Sequence, residues 1–96
     1  IHTHSKYCSV FASADKDMPV LGAYRRTFGD EIKLAAYALP GTKALMKNTA
    51  AAVGDNYGAI MSNHGMVACG ADMAAAFENC VKLEENGRRY LQEISC

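Results

Sequence analysis

The chain holds three histidines, and two of them stand one residue apart in Ile1-His2-Thr3-His4-Ser5. Side chains alternate across an extended backbone, so residues i and i+2 project to the same side. A strand through this stretch therefore aims both imidazoles at one point, which a metal needs and packing rarely does. The third histidine, His64, stands in Asn63-His64-Gly65, a turn-type tripeptide between two apolar runs. The glycine after it lets backbone pass close to a bound group. Three neutral imidazoles suit zinc and similar divalent ions, and a catalytic site keeps one position open for water or substrate. Spacing alone leaves the plainer reading open too: a lone histidine is often a hydrogen-bonded core residue, and His-x-His also occurs on exposed strands.

Ninety-six residues make at most one domain, and a small one. A chain of this size buries roughly 60% of its unfolded surface, so its stability margin is thin. Half of the residues are hydrophobic and about a fifth are charged, the composition of a globular rather than a disordered chain. Lys+Arg balances Asp+Glu, which gives no electrostatic case for nucleic acid or a membrane surface as partner. No apolar run is long enough to span a bilayer, and no signal-peptide pattern is visible. Cys8, Cys69, Cys80 and Cys96 include no C-x-x-C pair and do not resemble a disulfide framework. They read as reduced thiols of a cytoplasmic protein. Specialised residues seldom sit at a fraying terminus, so a start inside the His-x-His motif predicts part of a longer polypeptide.

In chain order, residues 1–3 read as the end of a strand. Ser5 is an N-cap candidate for a short helix over the apolar stretch from Tyr7 to Ala14. Met18-Pro19-Val20-Leu21 reads as loop or short turn, because Pro19 restricts Met18 to extended conformations. Ile32 to Tyr37 forms a candidate strand, ended by Leu39-Pro40-Gly41. Thr42 caps a predicted helix from Lys43 to Val53, with Leu45, Met46 and Ala50 on its apolar side and Gly54 beyond its end. Tyr57–Met61 and Met66–Cys69 are strands on either side of the His64 turn. Asp72 caps the longest helix, from Met73 to about Ile94, with an apolar stripe through Met73, Phe77, Cys80, Gly87, Leu91 and Ile94. Glu84 falls within that stripe, where an unpaired carboxylate would be costly, so it is expected to be paired or at the stripe's edge. This order describes an α/β or α+β piece. Two or three short strands with open edges would make a poor independent sheet.

The ordered set of motifs resembles the class II aldolase/adducin family, typified by fuculose phosphate aldolase. It comprises His2-Thr3-His4-Ser5, Met18-Pro19, Tyr37-Ala38-Leu39-Pro40-Gly41-Thr42 and Asn63-His64-Gly65 with its following strand and Gly70. Ala76 and Leu83-Glu84 in the last helix continue it. The resemblance implies a three-layer α/β fold with a central, mainly antiparallel sheet, of which residues 1–96 would be the C-terminal part, commonly assembled as a homotetramer. It assigns His2, His4 and His64 as ligands of Zn2+ or another divalent metal. It further implies a small-molecule sugar-phosphate substrate and reversible, metal-assisted aldol cleavage of a ketose 1-phosphate, in carbohydrate metabolism.

The family's catalytic glutamate lies upstream of the histidine pair, so the catalytic acid/base is unknown within these residues. A family tyrosine implicated in catalysis aligns with Ala23 rather than Tyr24, and its role is not transferred. Related members use the same metal for epimerisation, decarboxylation or dehydration of sugar phosphates. Adducin-like members are interaction domains without enzymatic activity. Adducin-type members have lost metal ligands, and retention of all three histidines counts against that last alternative.

Overall fold

A computed structural model describes residues 1–95. Among the described residues, six short strands and four helices follow one another. They are β1 (His2–Thr3), α1 (Cys8–Ala14), β2 (Met18–Pro19), a 3-10 turn at Gly22–Tyr24, α2 (Arg25–Phe28), β3 (Glu31–Ile32), β4 (Leu34–Ala35), α3 (Lys43–Val53), β5 (Gly58–Met61), β6 (Gly65–Ala68) and α4 (Met73–Ser95). Four strands form one sheet in the order β1-β6-β5-β4, and β2 pairs with β3 in a separate ribbon. Of the main sheet's pairings, β1–β6 and β5–β6 are antiparallel and β4–β5 is parallel. The expected mainly antiparallel sheet of an α/β fold is therefore present.

Side-chain alternation sorts the sheet's two faces. Ile60, Met66 and Ala68 point into the core with Cys8, Phe11 and Ala12 of α1 and Leu83 of α4. Met61 and Val67, one residue out of phase, face the groove under α3 together with Leu45, Ala50 and Val53. Helices thus cover both faces, which makes three layers. Gly58 of β5 is small for a packing reason, since a Cβ there would meet the Leu83 Cδ1 at 2.6 Å.

Local signals place several elements correctly. Thr42 accepts a hydrogen bond from the Leu45 amide at 3.2 Å and starts α3 at Lys43, and Gly54 ends it with φ +53°. Asp72 accepts from the Ala75 amide at 2.8 Å at the head of α4.

Elsewhere tertiary contacts overrule the sequence. Ser5 does not cap α1: the helix has no side-chain cap of its own, and Glu84 of α4 takes that place. Met18-Pro19 is a strand rather than loop, lying at the edge of its ribbon, where the missing proline N–H costs nothing. The candidate strand from Ile32 to Tyr37 is two strands in two sheets. The Asp17 carboxylate accepts from the Leu34 amide at 2.6 Å and marks the break.

The buried face of α4 runs through Ala76, Asn79, Leu83, Asn86 and Gly87. Of the expected stripe, Gly87, Cys80 and Leu91 do face the core, while Met73, Phe77 and Ile94 are exposed. Two asparagines, Asn79 and Asn86, were invisible as core residues because they earn burial by bonding backbone. Asn79 donates to the Cys69 carbonyl, and Asn86 accepts from the Leu21 amide and donates to the Pro19 carbonyl. In α3 no residue is fully buried, and Met46 is exposed.

Candidate metal centre

The three histidines meet at one end of the sheet. β1 runs antiparallel to β6 with His2 opposite Val67 and Thr3 opposite Met66, and reciprocal bonds between Ile1 and Ala68 extend the pairing by a residue. Antiparallel partners directly opposite share a face, so His2 lies on the Val67 side, over the groove under α3. His4 follows two residues later and meets it: their Nε2 atoms are 3.0 Å apart and their ring centroids 4.8 Å.

His64 arrives from the β5–β6 turn. The turn closes with a hydrogen bond from the His64 amide to the Met61 carbonyl at 3.0 Å, and Asn63 supplies the left-handed backbone it needs, φ +54°. The His64 ring centroid lies 4.6 Å from that of His2 and 5.1 Å from that of His4. One nitrogen from each ring falls within 4.8 Å of the other two. Spacing predicted that His2 and His4 converge, and the structure brings all three together.

Hydrogen bonding and burial act on two of the three rings. His2 Nδ1 is 2.9 Å from the Met66 carbonyl oxygen, which can only accept. His2 Nδ1 therefore carries a proton, and Nε2 is the atom that meets His4. Burial, followed by repulsion from His2 and His4, pushes the pKa of His64 below its ordinary value.

The donor set passes a direct test of fit for a divalent ion. His64 Nδ1 is buried without a hydrogen-bond partner, a state that ordinarily costs about 1–3 kcal/mol. Two nitrogens that ligate one tetrahedral zinc at about 2.1 Å stand about 3.4 Å apart. The observed separations, 3.0 Å at the close pair and up to 4.8 Å across the group, bracket that value. Among the described residues no carboxylate or thiol belongs to this cluster.

Sequence reasoning missed the supports. The Met66 carbonyl that orients His2 carries no side-chain signal at all. Glu84 was legible only as a carboxylate that needed a partner, and the hydrogen bond from the Ser62 hydroxyl to Asp15 beside the His64 turn had no sequence cue.

Similarity to known proteins agrees with the fold. Residues 1–91 match the family described as the class II aldolase and adducin N-terminal domain. The chain belongs to the class II aldolase/adducin family. It is 35% identical over 85 residues to an L-fuculose phosphate aldolase of Methanococcus maripaludis, covering 88% of this chain and 46% of that protein. A 5-methylthioribulose-1-phosphate/5-deoxyribulose-1-phosphate aldolase of Rhodospirillum rubrum is 30% identical over 91 residues, covering 94% and 41%. The solved structure of an L-fuculose 1-phosphate aldolase superposes with a TM-score of 0.92 at 26% identity, over 98% of this chain and 44% of that one. The chain thus spans less than half the length of these relatives. Among the described residues, no helix is long and apolar enough to cross a membrane.

Proposed function

We propose that the protein is a metal-dependent, aldolase-type lyase that reversibly cleaves a ketose 1-phosphate, and that His2, His4 and His64 hold the ion. The observation that carries this reading is the convergence of three imidazole nitrogens, one from each ring, within 4.8 Å of one another. The names of the relatives, aldolases of fuculose phosphate and of 5-deoxyribulose 1-phosphate, support the substrate class.

A divalent ion bound there supplies a Lewis acid that stabilises negative charge on a carbonyl oxygen. The chain's own residues prepare for it. The Met66 carbonyl fixes the tautomer and ring plane of His2, the effect an outer partner has on a metal-binding imidazole. Three neutral ligands leave the charge of the ion undiminished where an oxyanion develops. The apolar groove under α3, bordered by His2 and His64 and walled by Leu45, Ala50, Val53 and Val67, keeps one side of the cluster poor in competing polar groups. Proton transfer needs a further group within hydrogen-bond reach, and none of the three histidines is free for it.

Metal analysis, together with an aldehyde-release assay on ketose 1-phosphates run on the longer polypeptide that would carry the upstream glutamate, tests the proposal. Residues 1–96 alone are expected to bind metal without turnover. The expected outcome is one equivalent of divalent metal, lost in His2→Ala, His4→Ala and His64→Ala, with turnover abolished by a chelator and restored by zinc. A full equivalent of metal in His64→Ala, or chelator-insensitive cleavage, overturns it.

A further inference from the structure

We propose that Glu84 is a positioning residue for the metal ligands: it clamps the first turn of α1 and thereby holds His4 against His64. The inference rests on the histidine reading above and extends it to a residue outside the cluster.

The geometry is specific. Tyr7 donates its backbone N–H to Glu84 Oε2 at 2.9 Å, and Cys8 donates to Oε1 at 3.0 Å, so both carboxylate oxygens are engaged by consecutive amides. These are two of the amides a helix start leaves without an internal partner, and α1 brings no capping side chain of its own. A carboxylate suits them for two reasons: bonds to an ionised acceptor are the stronger kind, and negative charge is favoured at a helix N-terminus. Glu84 reaches there from α4, 76 residues away from Cys8 in sequence.

What this clamp controls follows from where α1 lies. The helix begins four residues after His4, and its other end is fastened to the turn that carries His64. There the Asn63 amide donates to the Ala12 carbonyl at 2.9 Å, and the Ser62 hydroxyl donates to the Asp15 carboxylate. α1 is therefore a strut between the ligand pair and the third ligand. His2 is oriented directly by Met66, whereas among the described residues the His4 ring has a hydrogen bond only with His2. The place of His4 depends on its backbone, and that backbone is fixed downstream by Glu84.

Cobalt(II) titration of the protein, followed through the visible d–d bands, tests the proposal. Glu84→Gln sets an amide N–H2 against a backbone N–H, so one of the two bonds is lost. The expected result is cobalt affinity weakened about 10-fold with an altered d–d spectrum, the scale seen when a supporting partner of a metal ligand is removed. Asn86→Ala breaks a comparable clamp between α4 and the Pro19–Leu21 segment, and is expected to lower the melting temperature while leaving affinity and spectrum unchanged. If Glu84→Gln does not fold, Asp15→Ala loosens the other end of the strut and is expected to weaken cobalt in the same way. Wild-type affinity in the folded Glu84 or Asp15 variant, or equal weakening in Asn86→Ala, overturns the positioning role alone. Failure of the unsubstituted protein to bind cobalt through the histidines overturns the metal reading, and this role with it.

Discussion

Thr3 and Gly65 pass so closely that a methyl group on Gly65 would lie 2.2 Å from the Thr3 carbonyl oxygen and 3.0 Å from the His4 ring. Backbone cannot swing aside as a side chain can, so the closeness of β1 and β6 depends on the absence of a Cβ. Gly65→Ala is expected to pry the first strand from β6 and carry the histidine pair away from His64. Stability should fall by at least about 2 kcal/mol, the range of overpacking combined with backbone displacement. Metal affinity should fall with it. Urea denaturation and cobalt titration measure the two effects, and unchanged values in both for the Gly65→Ala variant would show that the strands can separate without consequence.

The features legible in the sequence are the local ones. Thr42 before a helical pattern, Asp72 before a longer one and Asn63-His64-Gly65 between apolar runs each act within a few residues, and each was found where expected. His2 and His4 were legible because strand alternation is itself local. Features decided by distant partners were not. Ser5 has the chemistry of a cap, yet Glu84 arrives through α4 and displaces it. Ile32 to Tyr37 has the composition of one strand, yet Asp17 and two different partner strands divide it. The register of α4 was half legible: Cys80, Gly87 and Leu91 face the core as expected, but Asn79 and Asn86 are buried by hydrogen bonds to backbone, which hydrophobic periodicity does not count.

Cys8 should be the least reactive of the described thiols. Burial, reinforced by the charge of Glu84, pushes its pKa up to about 12, and its Sγ donates to the Leu83 carbonyl. The thiolate is the nucleophile, so at pH 8 almost none is present there. Cys69 and Cys80 are only half-buried. Brief alkylation of the native protein with iodoacetamide, followed by peptide mapping, is expected to label both ahead of Cys8. Equal labelling of Cys8 would mean that α1 opens readily.

α3 should be the more weakly protected of the two longer helices. None of its side chains is fully buried, so its cap carries a larger share of its stability. Thr42→Ala removes the acceptor for the Leu45 amide and is expected to cost about 1 kcal/mol. Hydrogen exchange should quicken across Lys43–Val53 and leave β5 and β6 unchanged. Uniform acceleration through the sheet would show that α3 opens only with the whole fold.

Glu84 should give the protein a pH dependence that a glutamine abolishes. Burial by itself would raise its pKa, but the amides of Tyr7 and Cys8, with smaller help from the Ser5 and Cys8 side chains, together hold the carboxyl below its ordinary 4.5. With the folded pKa below the unfolded one, the unfolded chain binds the proton first as pH falls. The contribution of the clamp is therefore complete above the unfolded value and is lost as pH drops through the folded one. Glutamine does not titrate, so Glu84→Gln lacks the contribution at every pH. Urea midpoints measured for both proteins from pH 7 to pH 3 isolate the effect, since every other carboxyl is common to the pair. The native protein should be more stable than the variant by a constant margin down to about pH 5. That margin should then close as the pH falls further. A gap that persists undiminished to pH 3 would show that the side chain acts through its shape and not its charge.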